Sequence, residues 1–406
     1  MKPWRRAGAG AFAAVALLAS FGLRAQEGEP SNPIEALQKR LDSGAATLDF
    51  AGDGKGYVPA LLKAFAIPPS SQLLVFSGSS LQFSHINQKT PRAVYYQDDV
   101  SIGSVLGGNL IELIVSDKKS GVAFYTLETA RADKPKFERR GGECIICHGF
   151  TSRWAPGLIV ATTETGPGGK VLNLDPRNPF HLTDQRTPFE QRYGGWYLTG
   201  NTGAMRHRGN VTMDPADPVA TPPGGLNLAS LSGRIDAARY MEPGSDVVAL
   251  LTLEHQAGFI NLVTRIKAQY HGLNNREVSP GLRATQKDID ASLDELADYM
   301  CFADEVALPS PVTGSSGFAK TFAALPPLDG KGRSLRQFEL RTRLFQYPLS
   351  YMIYSQAFDN LNPKAKEIVL RRLYDGLRKT PGGAAAINIA AATKMGLPEY
   401  WQKVGE

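Results

Sequence analysis

The stretch Cys144-Ile145-Ile146-Cys147-His148 constrains this chain more than any other. Two thiols three positions apart, followed at once by an imidazole, admit three chemistries. Both thiols can add to the two vinyl groups of one porphyrin, and the next residue then places an imidazole as axial ligand of its iron. A zinc ion could use the same three side chains, but it needs a fourth ligand, and the only other cysteine is Cys301. A thioredoxin-like dithiol needs the two cysteines but does not call for the histidine. The porphyrin reading employs all three residues at this spacing and is the expected one. It also bears on the fold, because a haem must be covered by residues from several elements.

The N-terminus fits that expectation. Lys2, Arg5 and Arg6 precede an uncharged, Ala/Gly-rich stretch over residues 7–23, and Leu23-Arg24-Ala25 is an imperfect small-residue cleavage site. Residues 1–25 therefore read as a secretory signal peptide. The stretch is short and weakly apolar beside the roughly 20 strongly apolar residues of a membrane span. No stable span is expected in the mature chain, an uncleaved anchor being the alternative. Arg5-Arg6 invites a twin-arginine reading, which is set aside because haem is coupled to the cysteines of an unfolded chain after export. The compartment implied is the bacterial periplasm.

Charge and cysteine usage narrow the classes further. The formal charge of +6 includes Lys2, Arg5, Arg6 and Arg24, which leave with the signal and take no acid with them, so the mature chain stands near +2. Two haem propionates would bring it near zero, so the basic precursor gives no reason to expect nucleic-acid binding. Three cysteines, two of them in the motif, leave no disulfide framework. Cys301 lies in an apolar patch and is expected to be a buried core thiol.

The local patterns predict an α+β chain in three textures. Residues 26–140 open with short helices, the first announced by Asn32-Pro33. They continue as an antiparallel β-rich half of four to six strands, with runs near residues 73–76, 93–96, 100–106, 110–115 and 122–127. Residues 141–244 form an irregular haem-bearing middle rich in Gly and Pro. Its Thr165-Gly-Pro-Gly-Gly-Lys170 is read as a hairpin turn, because Val171 stands where a phosphate loop needs Ser or Thr. Residues 245–406 read as mainly helical and packed on the haem segment. Helices are expected from Ser245 to about residue 271, after Thr285, over 335–347, after Asn362-Pro363 and over 382–395.

His148 is the expected proximal ligand, its Nδ1 donating to a backbone carbonyl or a nearby side chain. Three residues compete for the sixth iron position. His207 is placed first, in a polar Gly-containing loop over 200–210 whose Arg206 and Arg208 could pair with haem propionates. His255 is the alternative, on the apolar stripe Val248, Leu251, His255, Phe259. Met205 follows. Arg192 could bind a propionate, and Trp196 or Tyr197 could line the haem edge, although a turn and a strand with core aromatics is the plainer reading of 189–197.

The motif resembles that of c-type cytochromes. Residues 189–210 and 339–354 are similar to stretches of large secreted bacterial proteins described only as cytochrome c domain-containing. That resemblance implies export and one covalent haem c, and it brings no established reaction. The expected function is electron transfer to or from a redox partner protein or a small-molecule donor or acceptor. A haem oxidoreductase or sensor with an open sixth iron site is the alternative. No acid/base constellation stands out, and the chain is far longer than a simple carrier needs.

Overall fold

A computed structural model describes residues 29–172, 181–216, 227–273, 283–402 and 404. The signal-like segment 1–25 lies outside the described residues. Asn32 caps α1 (Pro33–Asp42), its Oδ1 accepting the amides of Ile34 and Glu35, and Pro33 fills the first helical position, where no amide is needed. After α2 (Val58–Ala64), strands β1 (Leu73–Val75), β2 (Arg92–Gln97), β3 (Val100–Ser104), β4 (Leu110–Asp117), β5 (Gly121–Glu128) and β6 (Glu138–Arg140) pair antiparallel in chain order. Directly after β6 comes α3 (Gly142–His148), which carries the Cys/His motif. In the middle segment β7 (Ala161–Thr162) pairs with β8 (His181–Leu182). Strand β9 (Trp196–Tyr197) adds to β1 as the seventh strand of the main sheet. The glycines at 166–169 form the expected turn, the amide of Gly166 donating to Lys170 O.

Period-two alternation gives the sheet two distinct faces. Ala93, Tyr95, Ile102, Leu113, Tyr125 and Leu127 point one way and form a core with Ile34, Leu37, Leu61 and Leu62 of α1 and α2. Val75, Tyr96, Val122 and Phe124 point the other way and join the core of the helical layer. The centre of that layer is α4 (Val247–Gly272), whose Leu251, Phe259, Leu262 and Ile266 are buried. By length and composition α4 could cross a membrane, yet 89% of its most apolar window is buried inside this fold. Its cap is Asp246, one residue beyond the expected Ser245, because the Ser245 hydroxyl instead accepts the amide of Leu74 on β1.

Around α4 lie α5 (Gln286–Met300), α6 (Phe318–Ala323), α7 (Gln356–Asp359), α8 (Pro363–Leu377) and α9 (Gly383–Thr393). Thr285 and Asp288 close a reciprocal capping box on α5, and Asn362 caps α8. The expected helix over 335–347 is absent. Its Phe338 and Phe345 instead face each other across an isolated bridge, rings 5.1 Å apart. The Glu339 carboxylate accepts the amides of Arg341, Thr342 and Arg343, and Leu340 takes a φ of 59° that a right-handed helix excludes. One core joins Leu158, Val160 and Trp196 of the middle segment to the helical layer. The texture changes near residues 140 and 245 thus fall within a single unit over 31–406.

Candidate functional site

Helix α3 has seven residues, none of them fully buried, with Cys144, Cys147 and His148 partly so. Ile145 and Ile146 are 49% and 71% exposed. Cys144, Cys147 and His148 stand at i, i+3 and i+4, which share one face of a helix, and all three line a single cavity against the sheet. That cavity encloses about 1210 Å³, counting the part open to solvent. Val94, Ile114 and Phe124 of the sheet, Leu158 and Val160 of the following segment, and Trp196 give it apolar walls. Trp196 is held by its indole N–H, which donates to Ala161 O at 2.8 Å.

The imidazole of His148 is fixed on one side. Its Nδ1 lies 2.6 Å from Gly157 O. A carbonyl only accepts, so the ring proton sits on Nδ1 and Nε2 keeps its lone pair. Gly157 is itself clamped by α4. Asn261 accepts the amide of Leu158 at 2.7 Å and donates to Leu158 O at 2.9 Å. A β-carbon on Gly157 would stand 2.1 Å from Asn261 Oδ1, so only glycine fits there. Phe124 packs against the His148 ring with centroids 4.8 Å apart.

The electrostatics keep this triad neutral. Burial pushes the Cys144 thiol up to about 11, and the Glu143 and Glu112 carboxylates add to the effect. Cys147 rises for the same two kinds of reason, burial first and then Glu112. A redox dithiol works through a thiolate with a depressed pKa, and these surroundings act in the opposite sense. Burial lowers the pKa of His148 against the opposing pull of its bond to Gly157, which favours the neutral ring that binds iron. Cys301 lines a different cavity with Phe302 and Arg372, its thiol pushed up to about 12 by burial, so it does not complete a zinc site with the motif.

The structure does not bring His207, His255 or Met205 to this cavity. His255 is fully buried in α4 and both ring nitrogens are engaged, Nδ1 with Gln185 Oε1 and Nε2 with the Ser350 hydroxyl. Tyr299 and Phe302 stack on it. His207 is not the exposed loop residue its neighbours suggest. It is 3% exposed, its Nδ1 accepts the Gly209 amide, and burial lowers its pKa to about 4. Asn210 holds that loop by bonding both backbone groups of Leu198. Met205 is core. Arg208 pairs with Glu164, and Arg192 is sealed against Glu254, so both cations are already engaged. Tyr197 belongs to the opposite core, with its hydroxyl on Gln88 O.

Sequence reasoning missed the polar part of the cavity wall. Glu112 and Arg92 project from β4 and β2 on the cavity side, 3.4 Å apart, and Ser80 donates to Glu112 at 2.9 Å. In sequence each is one charged residue in an alternating strand, a pattern that reads as solvent-facing. Only the position of α3 over that face turns them inward. No family model matches the chain, and neither the curated proteins nor the solved structures hold a significant match to it.

Proposed function

We propose that this chain is an exported, periplasmic monohaem c-type haem protein with a redox function. Cys144 and Cys147 would hold the haem and His148 would ligate its iron. The supporting observation is the convergence of both thiols and a tautomer-fixed imidazole on one mostly apolar cavity. Attachment needs no oxidant: each S–H adds across a vinyl C=C, sulfur to one carbon and hydrogen to the other. The haem would supply one-electron chemistry at iron. The chain's own part is to exclude water with Val94, Ile114, Phe124 and Trp196, and to orient His148 through Gly157.

Two roles fit such a protein, electron exchange with a partner and chemistry or sensing on a small molecule. The cavity lining favours the second, because none of the three candidate sixth ligands reaches it. The test is haem staining after denaturing electrophoresis of protein made in a host with c-type maturation machinery. Covalent stain that disappears in a Cys144→Ser, Cys147→Ser double variant is expected. Haem lost on denaturation, or zinc in its place, would sink the reading.

A further inference from the structure

All six histidines, and every methionine after Met1, fall among the described residues. Of these only His148 lines the cavity, and no lysine among the described residues does. The cavity offers instead an ion pair. Arg92 and Glu112 are about four-fifths buried, with side-chain exposures of 20% and 19%. Ser80 reaches both Glu112 oxygens, at 2.9 and 3.2 Å. The buried Nε of Arg92 has no hydrogen-bond partner among the described residues. The register explains the grouping: Glu112 lies opposite Gly103 on β3 and Thr126 on β5, and Gly103, with no side chain, leaves room between Arg92 and Glu112. Glu112 acts electrostatically on Cys144, Cys147 and His148, so the carboxylate shares the cavity with the whole motif. Largely buried charges facing a cavity cost desolvation that apolar residues would avoid, which marks them as candidates for a functional site.

We infer that Arg92, Glu112 and Ser80 form the recognition site for a small protic ligand that enters the cavity beside the motif. The inference rests on the haem reading above. The Arg92 guanidinium donates to the ligand, and Glu112 accepts from it, with Ser80 fixing the carboxylate. Such a pair suits a molecule of peroxide size that offers both a donor and an acceptor, and cyanide probes the donor alone. It gives no advantage to an apolar diatomic.

The experiment compares two probes on full-length, haem-loaded protein, cyanide on the oxidised form and carbon monoxide on the reduced form, both followed by absorption. Wild-type protein should bind both. Arg92→Ala should weaken cyanide about tenfold or more, the worth of a charge-assisted hydrogen bond, whereas Glu112→Gln, which is isosteric and removes the negative charge beside the bound anion, should strengthen it. Carbon monoxide affinity should move much less, and Arg92→Lys should restore part of the cyanide affinity. Equal losses for the two probes, or no loss, would mean that the pair serves only the fold or a haem propionate, and would overturn the inference. Covalent haem that refuses carbon monoxide, and accepts it only after His207→Ala, would overturn it while leaving the haem reading intact. Absence of covalent haem would remove both.

Discussion

Two of the buried Arg–Glu pairs among the described residues, Arg192–Glu254 and Arg92–Glu112, differ in how completely they are enclosed. Arg192 and Glu254 lie 2.6 Å apart at 2% and 0% side-chain exposure. The Arg192 guanidinium also donates to Thr187 O and Gln185 O and packs on the Phe189 ring, and Tyr193 donates to the same Glu254 oxygen. Arg92 and Glu112 are looser, at 3.4 Å, and face a cavity rather than packed side chains. A pair with its donors engaged inside a core serves the architecture. A pair with a spare donor beside open space is available to a ligand. The same two residue types therefore point to different roles according to what surrounds them, which the sequence alone does not display.

The largest effect expected from this contrast is on stability. Arg192→Met leaves Glu254 in the core without its counter-charge and should cost about 3–5 kcal/mol. Arg92→Met should cost less than about 1 kcal/mol, as for partly exposed pairs. Urea unfolding of the two variants at one pH measures both. Equal losses would erase the distinction between the pairs.

The two faces of the sheet sharpen it. Leu127 is 2% exposed in the core beneath α1 and α2, whereas Ile114 borders the cavity. Leu127→Ala should lose about 2–5 kcal/mol because its neighbours close on a new hole. In haem-free protein Ile114→Ala should lose less than about 1.5 kcal/mol, since one side of that residue already meets open space. Haem loading should raise the cost at Ile114 and leave Leu127 unchanged. A cavity-side cost as large as that at Leu127 in haem-free protein would argue that the wall closes up without the cofactor.

Sequence patterns reached the local parts of this architecture and missed those set by distant contacts. Asn32-Pro33, Thr285 with Asp288, and Asn362-Pro363 are caps whose chemistry is complete within four residues, and all three open helices. The motif at 144–148 is legible for the same reason. Residues 335–347 have helical spacing, but Glu339 binds three amides ahead of it and folds the stretch into a turn. Trp196 and Tyr197 read as a short strand, yet pairing with β1, more than a hundred residues away, decides which of them faces the cavity. His255 reads as an apolar-stripe residue, and its partners Gln185 and Ser350 come from opposite sides of the sequence. Arg92 and Glu112 became visible only once α3 was placed over them.

Another buried charge, Asp117 at the end of β4, supplies a pH test. Burial opposes its ionisation, but Ser31 at 2.6 Å, Asn32 at 2.8 Å and the Ser120 amide at 2.7 Å outweigh that and hold its pKa below the usual carboxylate range. A depressed folded-state pKa gives stability that is present above the unfolded value and lost as pH falls through the folded one. Asp117→Asn should therefore cost about 1.5–3 kcal/mol at pH 7. The gap to wild type should close as pH drops below about 4. A gap independent of pH would assign the loss to misplaced amide hydrogens instead of charge.

The smallest expected effect concerns how firmly the cavity holds its imidazole. Asn261 touches neither the motif nor the space beneath it, yet it bonds both backbone groups of Leu158, and the adjacent Gly157 carbonyl fixes His148 Nδ1. Asn261→Ala removes two partly buried hydrogen bonds and should cost about 1–2 kcal/mol. Stability alone would not separate this from ordinary surface damage. The separating readout is the iron–histidine stretching band of reduced, haem-loaded protein, which reports ring orientation and the strength of the Nδ1 bond. In Asn261→Ala the band should broaden and shift, because the Gly157 carbonyl is no longer held in place. Asn261→Asp keeps the acceptor for the Leu158 amide, loses the donor to Leu158 O, and should restore part of the wild-type band. An unchanged band in Asn261→Ala, with stability reduced as expected, would place the control of His148 in Gly157 and its loop alone, and α4 would then be only a roof over the cavity.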